Sequence, residues 1–162
     1  MLGHRLITKQ TDSTGQLTQK ALVLESINFK KEYYFAILMD RKYNGPVIVV
    51  SPQGGMDIEE VAEKTPDKIT YEPVDISTGI QAVQTERLAK FLGFTGDSIR
   101  DAQEQMKNLY ELFIGEDATQ VEINPLVQTL DGAVYCVDAK INFDDNAEFR
   151  HKFNIVVMIY NQ

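Results

Sequence analysis

The sequence has few of the residues that would cross-link the chain, anchor it or make its surface positive. A single cysteine, Cys136, excludes a disulfide within the chain. No apolar run approaches the roughly 20 residues of a membrane-spanning helix. There are 16 basic and 24 acidic residues, and the net charge of −8 argues against a surface for nucleic acid or anionic lipid. We therefore expect neither nucleic acid nor a membrane as a partner.

The sequence also lacks internal repeats, low-complexity tracts and a recognisable targeting segment. Its 162 residues are enough for one domain with an apolar core. Met1 to His4 lead directly into what looks like the interior of a domain, so we expect the chain to be a piece of a longer protein. Cys136 lies in the middle of a predicted strand, which favours a small core residue over a reactive thiol.

The apolar pattern predicts a mostly antiparallel sheet with helices packed on one side, an α+β fold. Asn44-Gly45 is a hairpin signal that joins two of the strands as antiparallel neighbours. The predicted strands are 5–11, 20–26, 32–40, 46–51 and 70–76. One helix is predicted to start after Asp57, and two more are predicted at 79–92 and 98–114.

A second hairpin is predicted near the end of the chain. Residues 118–125 alternate and are rich in β-branched side chains, which predicts a strand that Pro125 stops. Residues 126–129 are predicted to continue extended. Asp131-Gly132 is a tight-turn signal, and 134–137 then runs back as a second strand.

This hairpin would bring Glu122, Asn124 and Asp138 together at one end. Carboxylate and amide oxygens in small number suit Mg²⁺, which takes its other ligands from water and substrate phosphates. The alternative is that Asn124-Pro125 is only a strand terminus and Asp138 an ordinary turn acid. Because Asn, Asp and Pro are common in turns, the spacing alone favours that alternative.

Two further segments have a pattern that suits nucleotide binding. The chain leaving the predicted strand 20–26 would expose backbone groups that can read a purine edge, and nearby acids such as Glu25 and Glu32 can accept from ribose hydroxyls. Gly54-Gly55 precedes a helix with Asp57 as its N-cap, where free amides could bind an anion or the glycines could simply make the turn. We favour the turn and leave this loop out of the candidate site.

The hairpin sequence resembles a known family. Glu-Ile-Asn-Pro-Leu at 122–126, followed by Asp-Gly-Ala-Val-Tyr-Cys-Val-Asp-Ala-Lys-Ile-Asn-Phe-Asp at 131–144, is similar to the metal-binding hairpin of the β subunit of succinate–CoA ligase, an ATP-grasp enzyme. The run 140–150 resembles the mitochondrial form most closely. The resemblance covers about residues 2–152 but only part of the family's length.

The resemblance implies a fold and a boundary. Residues 1–152 would be the second, C-terminal lobe of an ATP-grasp domain, a lobe often classified as α/β. Residues 153–162 diverge from the family and form an apolar tail. The amino-terminal lobe of the domain, with its basic phosphate-binding residue and glycine-rich loop, would be missing. The carboxy-terminal CoA-ligase domain, which docks the α subunit and contributes to the succinate and phosphate site, would be missing as well.

The resemblance also implies ligands and a reaction. The family binds Mg²⁺ and GTP/GDP or ATP/ADP, and it converts succinate, CoA and nucleoside triphosphate reversibly into succinyl-CoA, nucleoside diphosphate and phosphate in the mitochondrial matrix. The partner is an α subunit that carries a phosphohistidine. The implied roles are metal ligands for Asn124 and Asp138, base contacts for Glu25, Ile27 and Asn28, a ribose contact for Glu32, and a contact to the phosphohistidine for Glu122.

Three questions stay open at this point. Residues 51–55 and 144–150 look more like the GDP-forming enzyme and 32–35 more like the ADP-forming one, so we lean to GDP. A related acyl-CoA ligase, for malate or citrate, would share the hairpin. A non-catalytic nucleotide- or metal-binding module, or a piece used for subunit association, is the third interpretation, and we expect this chain alone to be inactive as a ligase.

Overall fold

The structure is a computed structural model, and it describes residues 1–8, 11–21, 23 and 25–151. The described residues form two units, one made of Met1–Ser26 with the segment that starts at Asn146, the other made of Ile27–Asp145. The predicted tail 153–162 lies outside the described residues, and the boundary at residue 152 stays a prediction.

The first unit contains a short hairpin of β1 (Arg5–Leu6) and β2 (Gln16–Leu17). The Asp12 carboxylate accepts hydrogen bonds from the backbone N–H groups of Thr14 and Gly15, at 2.9 and 3.0 Å, and so closes the turn. The predicted polar turn is therefore present, and among the described residues of the predicted strand 5–11 only Arg5 and Leu6 form a strand.

The strand predicted for 20–26 is wrong for the residues that the structure describes. Lys20, Ala21, Val23, Glu25 and Ser26 are not in a strand, and Leu22 and Leu24 lie outside the described residues. An apolar pattern makes a strand only where a neighbouring strand completes its hydrogen bonds. The strand pairings of the described chain do not reach this segment.

The second unit is built on one six-stranded antiparallel sheet, which confirms the predicted α+β class. The strand order is β5-β4-β3-β6-β7, and β8 pairs with β6 as well. The strands are β3 (Phe29–Asp40), β4 (Gly45–Ser51), β5 (Thr70–Pro73), β6 (Ala118–Thr129), β7 (Val134–Cys136) and β8 (Ala139–Phe143).

Two longer helices cover one face of this sheet. They are α2 (Ala82–Leu92), which ends at Gly93 with φ 88°, and α3 (Ser98–Gly115). A glycine follows α2 because this left-handed backbone is costly for residues with a Cβ. The core between helices and sheet is the larger one, and its main side chains include Tyr33, Phe35, Ile37, Leu88, Leu92, Met106 and Phe113.

The opposite face of the sheet carries a smaller apolar cluster. Its buried members are Tyr34, Ala36, Val47 and Val49, and Ile58 of α1 packs against them. The short helix α1 (Ile58–Lys64) and the 3₁₀ turn Pro66–Lys68 follow β4. Because side chains alternate along a strand, this is the face that also receives the even-numbered residues of β3, including Glu32.

Strand β6 continues beyond Pro125, so the predicted stop at that residue is wrong. The Asn124-Pro125 peptide bond is cis, and the strand runs on to Thr129. Tyr33 pairs with Leu126 and Phe35 with Ile123, so two residues of β6 lie opposite one residue of β3. This is a β-bulge, and it accommodates a proline inside the strand.

A loop after β4 approaches β3 unusually closely. A Cβ added to Gly54 would lie 2.4 Å from backbone atoms of Tyr33. Backbone atoms cannot move aside as a flexible side chain can, so a glycine is required where the loop passes over β3.

We expect Gly54→Ala to lower the free energy of unfolding by at least the roughly 1–3 kcal/mol typical of overpacking. Denaturant unfolding measures this loss. Gly115→Ala is the control, because a Cβ there meets no atom within 4 Å and lies at the end of a helix. Equal stability of the two variants would contradict the close approach of the loop.

Candidate functional site

Asn124 and Asp138 lie directly opposite each other at the bulge. The backbone N–H of Asn124 donates to the carbonyl of Asp138 at 3.2 Å, and the N–H of Val137 donates to the carbonyl of Pro125, also at 3.2 Å. The two residues therefore meet beside the junction where β7 ends and β8 begins, in the middle of β6. We predicted this meeting, but at the end of a simple hairpin, and that part of the prediction is wrong because β8 also pairs with β6.

The side chain of Asn124 is held by the loop between β4 and α1. Its Oδ1 accepts a hydrogen bond from the backbone N–H of Gly55 at 2.8 Å. Its Nδ2 donates to the carbonyl of Met56 at 2.9 Å. Because one neighbour is only a donor and the other only an acceptor, the orientation of the amide is determined.

The same loop contacts Glu32. A Cβ added to Gly55 would lie 2.9 Å from both carboxylate oxygens of Glu32, and Gly55 has a φ of 70°. Gly55 therefore lies between the candidate ribose contact and the candidate metal ligand Asn124. We favoured a simple turn for this loop, and the structure brings it against two of the candidate site residues. The two adjacent glycines were the sequence signal for such a close approach.

Glu122 lies on the same strand, two residues before Asn124. Its side chain is only 14% exposed, and one oxygen lies 3.7 Å from Nζ of Lys140 on β8. The other oxygen accepts from Nε2 of Gln120 at 3.1 Å. Glu122 is thus a mostly buried carboxylate with a partly exposed cation beside it.

Tyr34 brings a hydroxyl to this face of the sheet. It is 4% exposed, and it lies on β3 opposite the bulge. Burial first, and then the negative charges of Glu122 and Glu59, raise the pKa of Tyr34 well above its usual value. The phenol therefore keeps its proton throughout the ordinary pH range and remains a hydrogen-bond donor.

The donor atoms at the bulge fit a small hard cation. The Asn124 carbonyl oxygen has two lone pairs, of which the bond from Gly55 uses one. The Asp138 carboxylate is exposed and accepts one hydrogen bond, from the N–H of Ala139 at 3.0 Å. One amide and one carboxylate oxygen suit Mg²⁺ and leave the rest of an octahedral shell for water and phosphate oxygens.

The candidate contacts to a nucleotide base lie at the start of the second unit and just before it in the sequence. Ile27 is half-buried and Asn28 exposed, and both immediately precede β3, the strand that carries Glu32. Glu25 is exposed and belongs to the first unit. The structure thus groups Glu32, Glu122, Asn124 and Asp138 around one part of the sheet.

Cys136 is exposed, so our prediction of a core position is wrong. It is the last residue of β7, a strand of three residues that stands at one end of the strand order in the described part of the chain. Partial burial of the sulfur raises the pKa of the Cys136 thiol. A raised pKa lowers the thiolate fraction and argues against a nucleophile.

Comparison with known proteins identifies the class of protein to which the chain belongs. Residues 1–128 match the family described as the ATP-grasp domain. Since this is more than half of the chain, the chain belongs to the ATP-grasp family. The predicted fold is thereby confirmed, together with the antiparallel sheet described above.

The curated relatives narrow this class. The chain is 61% identical over 152 residues to "Succinate--CoA ligase [GDP-forming] subunit beta, mitochondrial" of Dictyostelium discoideum, covering 94% of this chain and 36% of the relative. It is 57% identical over 151 residues to the ADP-forming subunit beta of the same organism, covering 93% of this chain and 34% of that relative. The predicted resemblance is confirmed, and the chain spans about a third of the length of these relatives.

A solved structure shares the fold. ATP citrate lyase from Methanothrix soehngenii, in complex with citrate and coenzyme A, superimposes with a TM-score of 0.66 at 23% sequence identity. The match covers 94% of this chain and 33% of that protein.

None of the helices in the described part of the chain has the length and apolar character that a membrane crossing needs.

We expect Asn124→Ala to reduce the free energy of unfolding by about 2 kcal/mol, because two hydrogen bonds are lost at about 1 kcal/mol each. Denaturant unfolding measures the change. Asn108→Ala, at an exposed position of α3, is the control and should be neutral or slightly stabilising, since alanine favours a helix. A similar change in both variants would show that the bonds from Asn124 to the loop contribute nothing.

Proposed function

We propose that this chain is the nucleotide- and magnesium-binding part of a succinate–CoA ligase β subunit. The reaction is the reversible conversion of succinate, CoA and nucleoside triphosphate into succinyl-CoA, nucleoside diphosphate and phosphate. The observation that carries the proposal is the pairing of Asn124 with Asp138 at the bulge, in a chain 61% identical to such a subunit.

In this proposal Asn124 and Asp138 supply the protein ligands of Mg²⁺. The ion would neutralise charge on the nucleotide phosphates as the phosphoryl group is transferred. Asp138 is exposed and Asn124 is half-buried, and the hydrogen bonds at the bulge hold their backbones in one register. Such fixed donors act without reorganising when charge develops.

Glu32 is our proposed contact to the ribose, and Glu25, Ile27 and Asn28 are our proposed contacts to the nucleotide base. A carboxylate on the strand accepts hydrogen bonds from ribose hydroxyls, and backbone groups before β3 can read the edge of a purine. Glu32 lies next to Gly55, and Gly55 in turn holds Asn124. This placement supports the proposal that Glu32 and Asn124 bind the ribose and the metal-bound phosphates of the same nucleotide.

Glu122 is our proposed contact to a phosphohistidine presented by an α subunit. A carboxylate can accept from the ring N–H of a histidine and so orient it. Lys140 lies within 3.7 Å of this carboxylate and offsets its charge as a phosphoryl group approaches. The mitochondrial names of the relatives support a location in the matrix.

The choice between GDP and ADP is part of the proposal. The relatives include subunits of both kinds, at 61% and 57% identity. We favour GDP because Ser51 to Gly55 and residues 144–150 resemble the GDP-forming version more closely. A comparison of inhibition by GDP and ADP in a full-length subunit tests this preference.

We expect the 162-residue chain to form no succinyl-CoA when it is mixed with α subunit, Mg²⁺, GTP or ATP, succinate and CoA. A nucleotide clamp orients the phosphates and excludes water by closing two lobes, and one lobe cannot do this alone. The full-length Dictyostelium relative is the positive control. Measurable turnover by the chain would contradict the proposal that it holds only part of the site.

We expect Asp138→Asn, in a full-length subunit carrying this segment, to lower kcat about a hundredfold and to raise the Mg²⁺ requirement. Loss of one anionic contact to developing charge is worth about 3 kcal/mol. Asn124 and water remain as ligands, so excess Mg²⁺ should restore part of the activity. Titration of initial rates with Mg²⁺ measures both effects.

Asp131→Asn is the matched control for this variant. Asp131 is exposed in the turn of the hairpin, where it accepts a hydrogen bond from the hydroxyl of Thr129. Its Mg²⁺ titration should therefore match the parent. The assignment is wrong if the Asp138 variant titrates like the parent and the Asp131 variant does not.

A further inference from the structure

We infer that the loop Gly54–Met56 is the positioning element of the metal site. It sets which atom of the Asn124 side chain is presented as a ligand, and it requires an amide and not a carboxylate at this position. The same loop lies against the carboxylate of Glu32. This inference rests on the proposed role of Asn124 as a magnesium ligand, and it adds the device that prepares Asn124 for that role.

The two hydrogen bonds from the loop to Asn124 select an amide by their chemistry. The Gly55 N–H can only donate and the Met56 carbonyl can only accept. An asparagine amide satisfies both at once, with its oxygen toward Gly55. An ionised aspartate would satisfy Gly55 but would place a second oxygen against the Met56 carbonyl, where two acceptors repel each other.

The loop itself has contacts on both sides. Gly54 lies on the backbone of Tyr33, and Gly55 lies against the carboxylate of Glu32. Further back, the Oε1 of Gln53 accepts a hydrogen bond from the hydroxyl of Thr65 at 2.8 Å. A loop with contacts on both sides can hold a side chain in place, as a loop free in solvent cannot.

The hydrogen bond from Gly55 leaves Asn124 Oδ1 able to bind a metal ion. The bond from Gly55 uses one lone pair of Asn124 Oδ1 and leaves the other for a cation. Partners that orient a ligand from behind typically change metal affinity by 10–100-fold, roughly, when they are removed. The loop thus acts through Asn124, as a positioning element and not as a ligand.

The decisive variant is Asn124→Asp. A carboxylate is a better magnesium ligand than an amide, so a residue that served only as a ligand would bind the cation at least as tightly after this change. Because the loop requires an amide, we expect the affinity to fall about tenfold or more. The measurement is a titration of the full chain with Mn²⁺, followed by paramagnetic broadening of the amide signals around Asp138.

A pair of glycine variants separates the loop contact from general backbone strain. Gly55 and Gly96 both have positive φ, 70° and 61°, but a Cβ at Gly96 meets no atom within 4 Å. We expect both alanine variants to lose thermal stability, whereas only Gly55→Ala loses about tenfold in Mn²⁺ affinity. Equal Mn²⁺ affinity of the two variants would overturn the inference.

The Asp138→Asn variant distinguishes a failure of this inference from a failure of the proposed function. If this variant binds Mn²⁺ like the parent, the metal site itself is wrong, and the inference fails with it. If Asp138→Asn weakens binding while Asn124→Asp binds as tightly as the parent or more tightly, the metal site stands and the positioning role is overturned.

Amide exchange in the unaltered chain gives a readout that does not depend on whether any variant folds. The Gly55 N–H should exchange with solvent more slowly than an unprotected amide of the same sequence, because it donates to Asn124. Exchange at the unprotected rate overturns the inference, whatever the variants show.

Discussion

The β-bulge at Asn124-Pro125 is the constraint on which the rest of the candidate site depends. It places two residues of β6 opposite Tyr34, so that Ile123 and Leu126, three positions apart, both enter the core beneath the helices. Strict alternation would send one of them to the other face. The bulge therefore keeps the core intact while it turns the Asn124 amide toward the loop after β4 and sets Asp138 opposite it.

Functional groups at this bulge come from segments far apart in the chain, and short hydrogen bonds join them. Gly55 and Asn124 are separated by 69 positions, yet a 2.8 Å bond links them. Glycine at 54 and 55 makes the approach possible, since a Cβ at either position would meet the backbone of Tyr33 or the carboxylate of Glu32. Small residues in the loop and an amide on the strand are thus parts of a single arrangement.

The sequence predicted the local part of this arrangement and missed the distant part. Asn124 and Asp138 lie in one hairpin, so strand pattern and turn residues were sufficient to predict that they meet. Gly55 contacts Asn124 only because β4 and β6 lie on either side of β3 in the sheet. No local sequence pattern predicts this order of strands. The strand predicted at 20–26 is wrong for its described residues for the same reason, because an apolar pattern shows which side chains favour burial and not whether a neighbouring strand is present.

The most direct test of the metal site is an anomalous-difference map from crystals of this chain grown with Mn²⁺ and GDP. We expect one Mn²⁺ peak about 2.1 Å from both Asn124 Oδ1 and an Asp138 carboxylate oxygen, with the nucleotide phosphates completing its shell. A peak coordinated by neither residue, with nucleotide bound elsewhere on the chain, would contradict it.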